Sequence, residues 1–269
     1  MSGWDFNFPP ATEVHLLSQA RLFSVPGRGT PLLFIHGGFH GAWCWAPFLR
    51  FFTARGIAAA ALDLRGHGGL SQGPAFIGTG VAEMAADVGE ATQALGGAVI
   101  LAGHSLGALV AMAAAEQVRP RGLVLLAPQP PANVQDVRLL PPFPPDLLVA
   151  PPPEERARKW MFGGAKDVGG DALGLYLARL CSESPAFLND LYERRVQVDP
   201  AWVKGPVLCL SGGRDDSPLH AAGQDEKIAA FYGAEFTQIP AAGHCLMADA
   251  TRDTGAAVIA DWLAGNNLC

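Results

Sequence analysis

Short apolar runs recur along this chain, and most of them end in a glycine-bearing turn. Residues 32–35, 57–64, 99–102, 123–126 and 206–210 are almost wholly apolar and read as buried strands, with 235–239 as a last one. Residues 14–23 read as one further strand, paired in a hairpin with a poorly marked neighbour before Pro31. Helical spacing appears between the runs. Trp43, Trp45, Phe48, Leu49 and Phe52 share one face of a helix reaching about residue 54. Val81, Met84, Ala85, Val88 and Leu95 do the same within 79–95. The Ala-rich stretch 108–116 and residues 250–263 predict two more helices.

The pattern changes at Pro128. Ten prolines fall between Pro128 and Pro153, a density that excludes long helices and sheet interiors. Leu139, Leu140, Phe143, Leu147, Leu148 and Val149 are interleaved with them. So many apolar residues are costly to leave in water, so the stretch predicts an irregular apolar excursion over a site. Helices are expected over 154–162, 171–181 and 185–196. Residues 129–202 then form an inserted cap, and 1–128 with 203–269 form the core domain.

Composition narrows the class. Of 269 residues, 49% are hydrophobic and 16% charged, which implies a substantial core and argues against disorder. Net charge is −6 with no Lys/Arg cluster, so nucleic-acid binding is not expected. No apolar run approaches the ~18 residues of a membrane helix, and the N-terminus lacks the basic and apolar regions of a signal peptide. The five cysteines have no metal-binding spacing, and an odd, scattered set points to reduced thiols in a cytoplasm. The aromatic arm Trp4, Phe6, Phe8, Pro9 and Pro10 is expected to pack on its own domain, with a homodimer contact as the alternative.

The candidate chemistry centres on Gly103-His104-Ser105-Leu106-Gly107. By composition alone, G-x-S-x-G arises in about one such chain in eight. Its context is what carries weight. A strand precedes it and a helix follows, which is what a nucleophile elbow requires. Ser105 would stand at the apex, with the Leu106 N–H facing any oxyanion formed there. His36-Gly37-Gly38-Phe39 ends the 32–35 run, and its backbone would supply a second donor, with Gly38 N–H preferred over Phe39. Ser211-Gly212-Gly213-Arg214-Asp215-Asp216 follows the 206–210 run, and a carboxylate there is placed to orient a histidine. Asp215 is preferred over Asp216. His244, on a small-residue loop after 235–239, follows both the serine and the carboxylate and is the expected base. His36 and His67 are read as structural, His67 because no ordered partner is in view. Phe39, Trp43, His104 and Phe143 are candidate substrate contacts.

These motifs resemble the α/β-hydrolase superfamily over nearly the full chain. The resemblance rests on His36-Gly37-Gly38, Asp63-Leu64-Arg65-Gly66-His67-Gly68, the Ser105 pentapeptide, Gly212-Gly213-Arg214-Asp215 and Gly243-His244. Residues 36–45 are also similar to the corresponding loop of plant methylesterases and hydroxynitrile lyases. The resemblance implies an α/β-hydrolase fold: an eight-stranded, mostly parallel sheet wrapped by helices, with an inserted helical cap and a site at the strand C-terminal ends. It further implies a serine hydrolase that acts through an acyl-enzyme, without metal or organic cofactor, on a small-molecule substrate. A carboxylic ester of a largely apolar compound is expected. The alternatives are a cofactor-free lyase or C–C bond hydrolase using the same Ser-His pair, and a ligand sensor with a vestigial triad. Serine at 105 departs from the aspartate of related epoxide hydrolases and dehalogenases.

Overall fold

In the computed structural model, which describes residues 5–134, 141–164, 171–217 and 220–269, the apolar runs assemble into one eight-stranded sheet. Its strands are β1 (Glu13–Leu16), β2 (Arg21–Val25), β3 (Arg28–Ile35), β4 (Ile57–Asp63), β5 (Ile100–His104), β6 (Gly122–Leu126), β7 (Val207–Gly212) and β8 (Glu235–Ile239). They lie in the order β1-β2-β4-β3-β5-β6-β7-β8. β1 runs antiparallel to β2, and β2 to β4; all other neighbours are parallel.

The single strand expected over 14–23 is two. The chain reverses between Leu17 and Ala20, whose backbone N–H and C=O pair at 3.0 Å, so the hairpin closes within this stretch. Ser18 supplies the polar break, and its N–H and hydroxyl both donate to Glu90 at 2.9 Å. The residues before Pro31 belong instead to β3, the partner of β4 and β5.

Helices α1 (Ala46–Thr53), α2 (Val81–Ala94), α3 (Leu106–Val118), α7 (Gln224–Tyr232) and α8 (Arg252–Gly265) flank the sheet. Alternation along β3 divides the core. Leu32 and Phe34 join Phe48, Phe52, Ile259 and Trp262 on one face. Leu33 and Ile35 join Met84, Val88, Leu109 and Met112 on the other. Both faces are therefore dry, which is why the central strands carry no polar alternation. Only Gln224, Asp225, Ile228 and Ala229 of α7 are buried, and that stripe is too thin to predict the helix from its sequence.

Between β6 and β7 lie α4 (Glu154–Phe162), α5 (Asp171–Leu177) and α6 (Pro185–Tyr192). The last two are shorter than their patterns suggest. After α5 the chain turns extended, because Cys181 N–H donates to Phe39 C=O and Glu183 bridges Val149. After α6, Arg194 takes φ 56° and Arg195 N–H caps the Asp190 carbonyl at 2.9 Å. In the proline-rich stretch Phe143 and Val149 pack inward, whereas Leu147 and Leu148 are exposed; Leu139 and Leu140 lie outside the described residues.

The N-terminal arm packs on its own chain. Phe6 meets Trp43 edge-on at 5.0 Å, and Phe8 stacks on Phe23 at 4.2 Å; Trp4 lies outside the described residues. No helix among the described residues is long and apolar enough to cross a membrane.

Candidate active site

Ser105 sits between β5 and α3 with φ 54° and ψ −123°, a conformation that costs a non-glycine residue about 1–3 kcal/mol. Its surroundings over-determine it. Ser105 N–H donates to Leu126 C=O at 3.0 Å, and Ser105 C=O accepts from Gln129 N–H at 3.1 Å. The turn also needs its glycines. A methyl group on Gly107 would lie 2.2 Å from His36 O, and one on Gly103 would lie 2.5 Å from Ala108 Cα. Ser105 is the N-cap residue of α3 and so stands at the positive end of the helix dipole, where negative charge is favoured.

His244 donates from Nδ1 to Asp215 Oδ2 at 2.5 Å. The other Asp215 oxygen accepts Ser217 N–H at 3.1 Å. Burial alone would raise the Asp215 pKa, but the His244 charge and hydrogen bond, aided by His220, outweigh it and hold the carboxyl below its ordinary value. Asp216 is exposed. His104 donates from Nε2 to His244 C=O at 3.0 Å and so pins the loop that carries His244.

His220 also follows Ser105 and Asp215 in the chain, so chain order alone does not single out His244. Geometry separates them. His220 donates from Nε2 to Asp225 at 2.9 Å, its Nδ1 lies 3.6 Å from Asp215, and it does not line the cavity that holds Ser105. Ligand-type atoms of Asp215, His220 and His244 lie within 4.8 Å of one another, close enough to hold a cation. Hydrogen bonds to Asp215 and Asp225 already engage a ring nitrogen of each histidine.

Ser105 and His244 open into one cavity of about 430 Å³. Gly38, Phe39, His104, Leu106 and Phe143 also line it. Trp43 does not. It is buried against Phe6, His40 and Tyr176, so it supports the loop beside the cavity without reaching inside.

The loop after β3 is held from several directions. Asp63 accepts Ala42 N–H at 2.6 Å. His40 donates from Nδ1 to Gly38 C=O at 2.6 Å, and its Nε2 accepts a short hydrogen bond from Tyr176 of α5. Burial lowers the His40 pKa to about 4, so the ring is neutral. Phe39, at φ 68°, donates its N–H to Glu183 Oε2 at 2.9 Å, while Cys181 N–H donates to Phe39 C=O. The Phe39 amide is therefore engaged. Leu106, the first residue of α3, has no intrahelical acceptor for its own N–H, and Gly38 lies close by: a methyl group on it would stand 3.1 Å from Leu106 Cδ1. His67 has the partner its sequence did not reveal: Nε2 donates to Glu183 at 3.1 Å, both side chains wholly buried. His36 is held by Gly37 C=O and Leu64 N–H, away from the cavity.

The sequence profile of the Alpha/beta hydrolase family matches residues 32–257. The chain belongs to that family. Protein phosphatase methylesterase 1 of Mus musculus is 36% identical over 97 residues, 34% of this chain. The match spans about a quarter of that relative's length. Among solved structures, the Arabidopsis methylesterase MES16 superposes with a TM-score of 0.70 at 17% identity, over 88% of this chain and 99% of its own. A putative aryl esterase from Burkholderia cenocepacia gives 0.69 at 18% identity, over 95% and 98%. At such identities the likeness to this α/β hydrolase is one of fold.

Proposed function

We propose that the protein is a serine esterase that cleaves a carboxylic ester of a small, largely apolar compound through an acyl-enzyme on Ser105. The observation that carries this reading is one cavity shared by an elbow serine and a histidine whose far nitrogen is bound to a buried aspartate. With Nδ1–H committed to Asp215, Nε2 of His244 is the free base. It takes the Ser105 proton as Oγ attacks the carbonyl, and Asp215 stabilises the resulting imidazolium. The N–H groups of Gly38 and Leu106 receive the oxyanion, and such a donor is worth about 10²–10³ in rate. His244 then protonates the leaving alcohol, and water repeats the sequence on the acyl-enzyme. No step in this sequence calls on a metal or cofactor.

The local similarity to protein phosphatase methylesterase 1 supports an ester as the bond cleaved, while thioesterase and iminopeptidase-related structures share the same fold. Met161, Leu188, Leu191 and Pro151–Pro153 along the cavity wall support an apolar substrate body. Labelling with a fluorophosphonate, mapped by mass, is expected to give one adduct on Ser105, with turnover of p-nitrophenyl esters. Ser105→Ala is expected to lose on the order of 10⁶-fold in kcat. Activity above a tenth of wild type in that variant would overturn the serine mechanism. An adduct without turnover would move the reading to a lyase or a sensor.

A further inference from the structure

Two residues lining the cavity have no part in the ester chemistry. Gln129 is 3% exposed and follows β6, its backbone N–H tied to Ser105 C=O. Its carboxamide makes no hydrogen bond among the described residues, and Oε1 is buried without a donor. A buried acceptor without a donor costs about 1–3 kcal/mol, and the residue that carries it lines the cavity beside the nucleophile, which leaves its amide nitrogen as the group able to meet a substrate.

Arg156 is the second. Pro153, Arg156 and Trp160 form an i, i+3, i+7 stripe of α4 and its N-cap that faces the cavity. Arg158 turns aside to pair with Glu154, whereas Arg156 has no carboxylate partner among the described residues. Its guanidinium lies 5.5 Å from the Trp160 ring centroid, and the residue is exposed, which sets it where the cavity meets solvent. No aspartate or glutamate lines the cavity among the described residues. Among the described residues the one fixed charge on the wall is thus a cation, Arg156, on an exposed residue, and the lining between it and Ser105 is largely apolar.

We propose that the preferred substrates are esters whose acyl chain ends in a carboxylate, that is, hemi-esters of dicarboxylic acids. The distal carboxylate sits on Arg156, the methylene chain lies along Met161, Leu188 and Leu191, and the Gln129 carboxamide hydrogen-bonds a polar atom beside the scissile carbonyl. This inference rests on the ester reading of Ser105 and extends it.

The test compares monophenyl adipate with phenyl hexanoate, equal in acyl length and different only in the terminal charge. Wild type is expected to favour the hemi-ester about fivefold in kcat/KM, the scale of one solvent-facing ion pair, with the preference shrinking as salt is added. Arg156→Gln should abolish the preference, and Arg156→Lys should keep most of it. Gln129→Leu should lower kcat/KM for both esters. Binding of each ester to Ser105→Ala, measured by calorimetry, separates the two layers of the reading. If both esters are turned over equally, and Arg156→Gln shifts them alike, the carboxylate subsite is overturned and the esterase stands. If neither is turned over but Ser105→Ala binds the hemi-ester preferentially through Arg156, the subsite stands and the ester reading falls. If there is neither turnover nor preference, both fall.

Discussion

Glu183 Oε2 accepts the Phe39 N–H at 2.9 Å, from 144 positions further along the chain. That bond holds a non-glycine residue at φ 68° in the loop that presents the Gly38 amide. The same oxygen accepts from His67, so the segment between β6 and β7 and the loop after β4 hold the loop after β3 together. In the proposed mechanism, the position of the Gly38 amide depends on these contacts.

Glu183→Gln is therefore expected to lower kcat by about tenfold or more while KM stays within about threefold, because a displaced donor weakens the transition state more than the ground state. Steady-state kinetics on one ester, with melting temperature alongside, checks this. A lower melting temperature with an unchanged kcat would leave Glu183 a structural residue only.

Stability should carry a pH signature from the same pair. His67 faces an acceptor on each ring nitrogen, Arg65 C=O at 2.9 Å and Glu183 at 3.1 Å. Burial alone would lower its pKa, but the Glu183 charge and hydrogen bonds outweigh it and raise the value. A raised folded pKa makes the contribution complete below the unfolded value of about 6.5 and erodes it as pH rises through the folded one. The gap in melting temperature between wild type and Glu183→Gln should thus be wider near about pH 6 than near about pH 9. Equal gaps would mean that His67 is neutral across the range.

Asp215→Asn is expected to cost on the order of 10⁴ in kcat, since an amide leaves His244 in the wrong tautomer. Asp216→Asn should stay within about twofold of wild type, because that side chain is exposed. His220→Gln should fall within about tenfold, because its stronger bond is to Asp225. Kinetics on the three variants under one set of conditions ranks them, and a crippled Asp216→Asn with an active Asp215→Asn would reverse the roles.

Thiol reactivity should be uneven. Cys44, Cys209 and Cys245 are buried, and burial pushes each thiol pKa up. Burial and the nearby Glu183 raise the half-buried Cys181 to about 12. Cys269 is exposed. Native protein treated with a disulfide reagent should show one fast thiol, on Cys269, and all five after denaturation. Fast modification of Cys181 would mean that the segment around it detaches from the loop after β3.

Local pattern was enough for much of the fold. Fully apolar runs mark strands dry on both faces, and stripes such as Phe48, Leu49 and Phe52 mark one helix side, because burial imposes the period of each element. The elbow was legible for a similar reason: Gly103 and Gly107 stand where any side chain would collide with backbone. The break at Ser18 and the helix α7 were not. One depends on a bond to Glu90 and the other on a stripe of four buried residues, so neither leaves a periodic trace.

What the sequence by itself determined was the order of most elements and the residue types at their ends, including a serine after β5, an aspartate after β7 and a histidine after β8. Only the tertiary structure decided which groups meet. It set His244 rather than His220 on the cavity, removed Trp43 from its wall, gave His67 a carboxylate, and left Gln129 Oε1 buried without a donor among the described residues. Each outcome rests on contacts between residues far apart in the chain. Composition and spacing report the environment a side chain needs; the partner that supplies it is chosen by packing between distant segments.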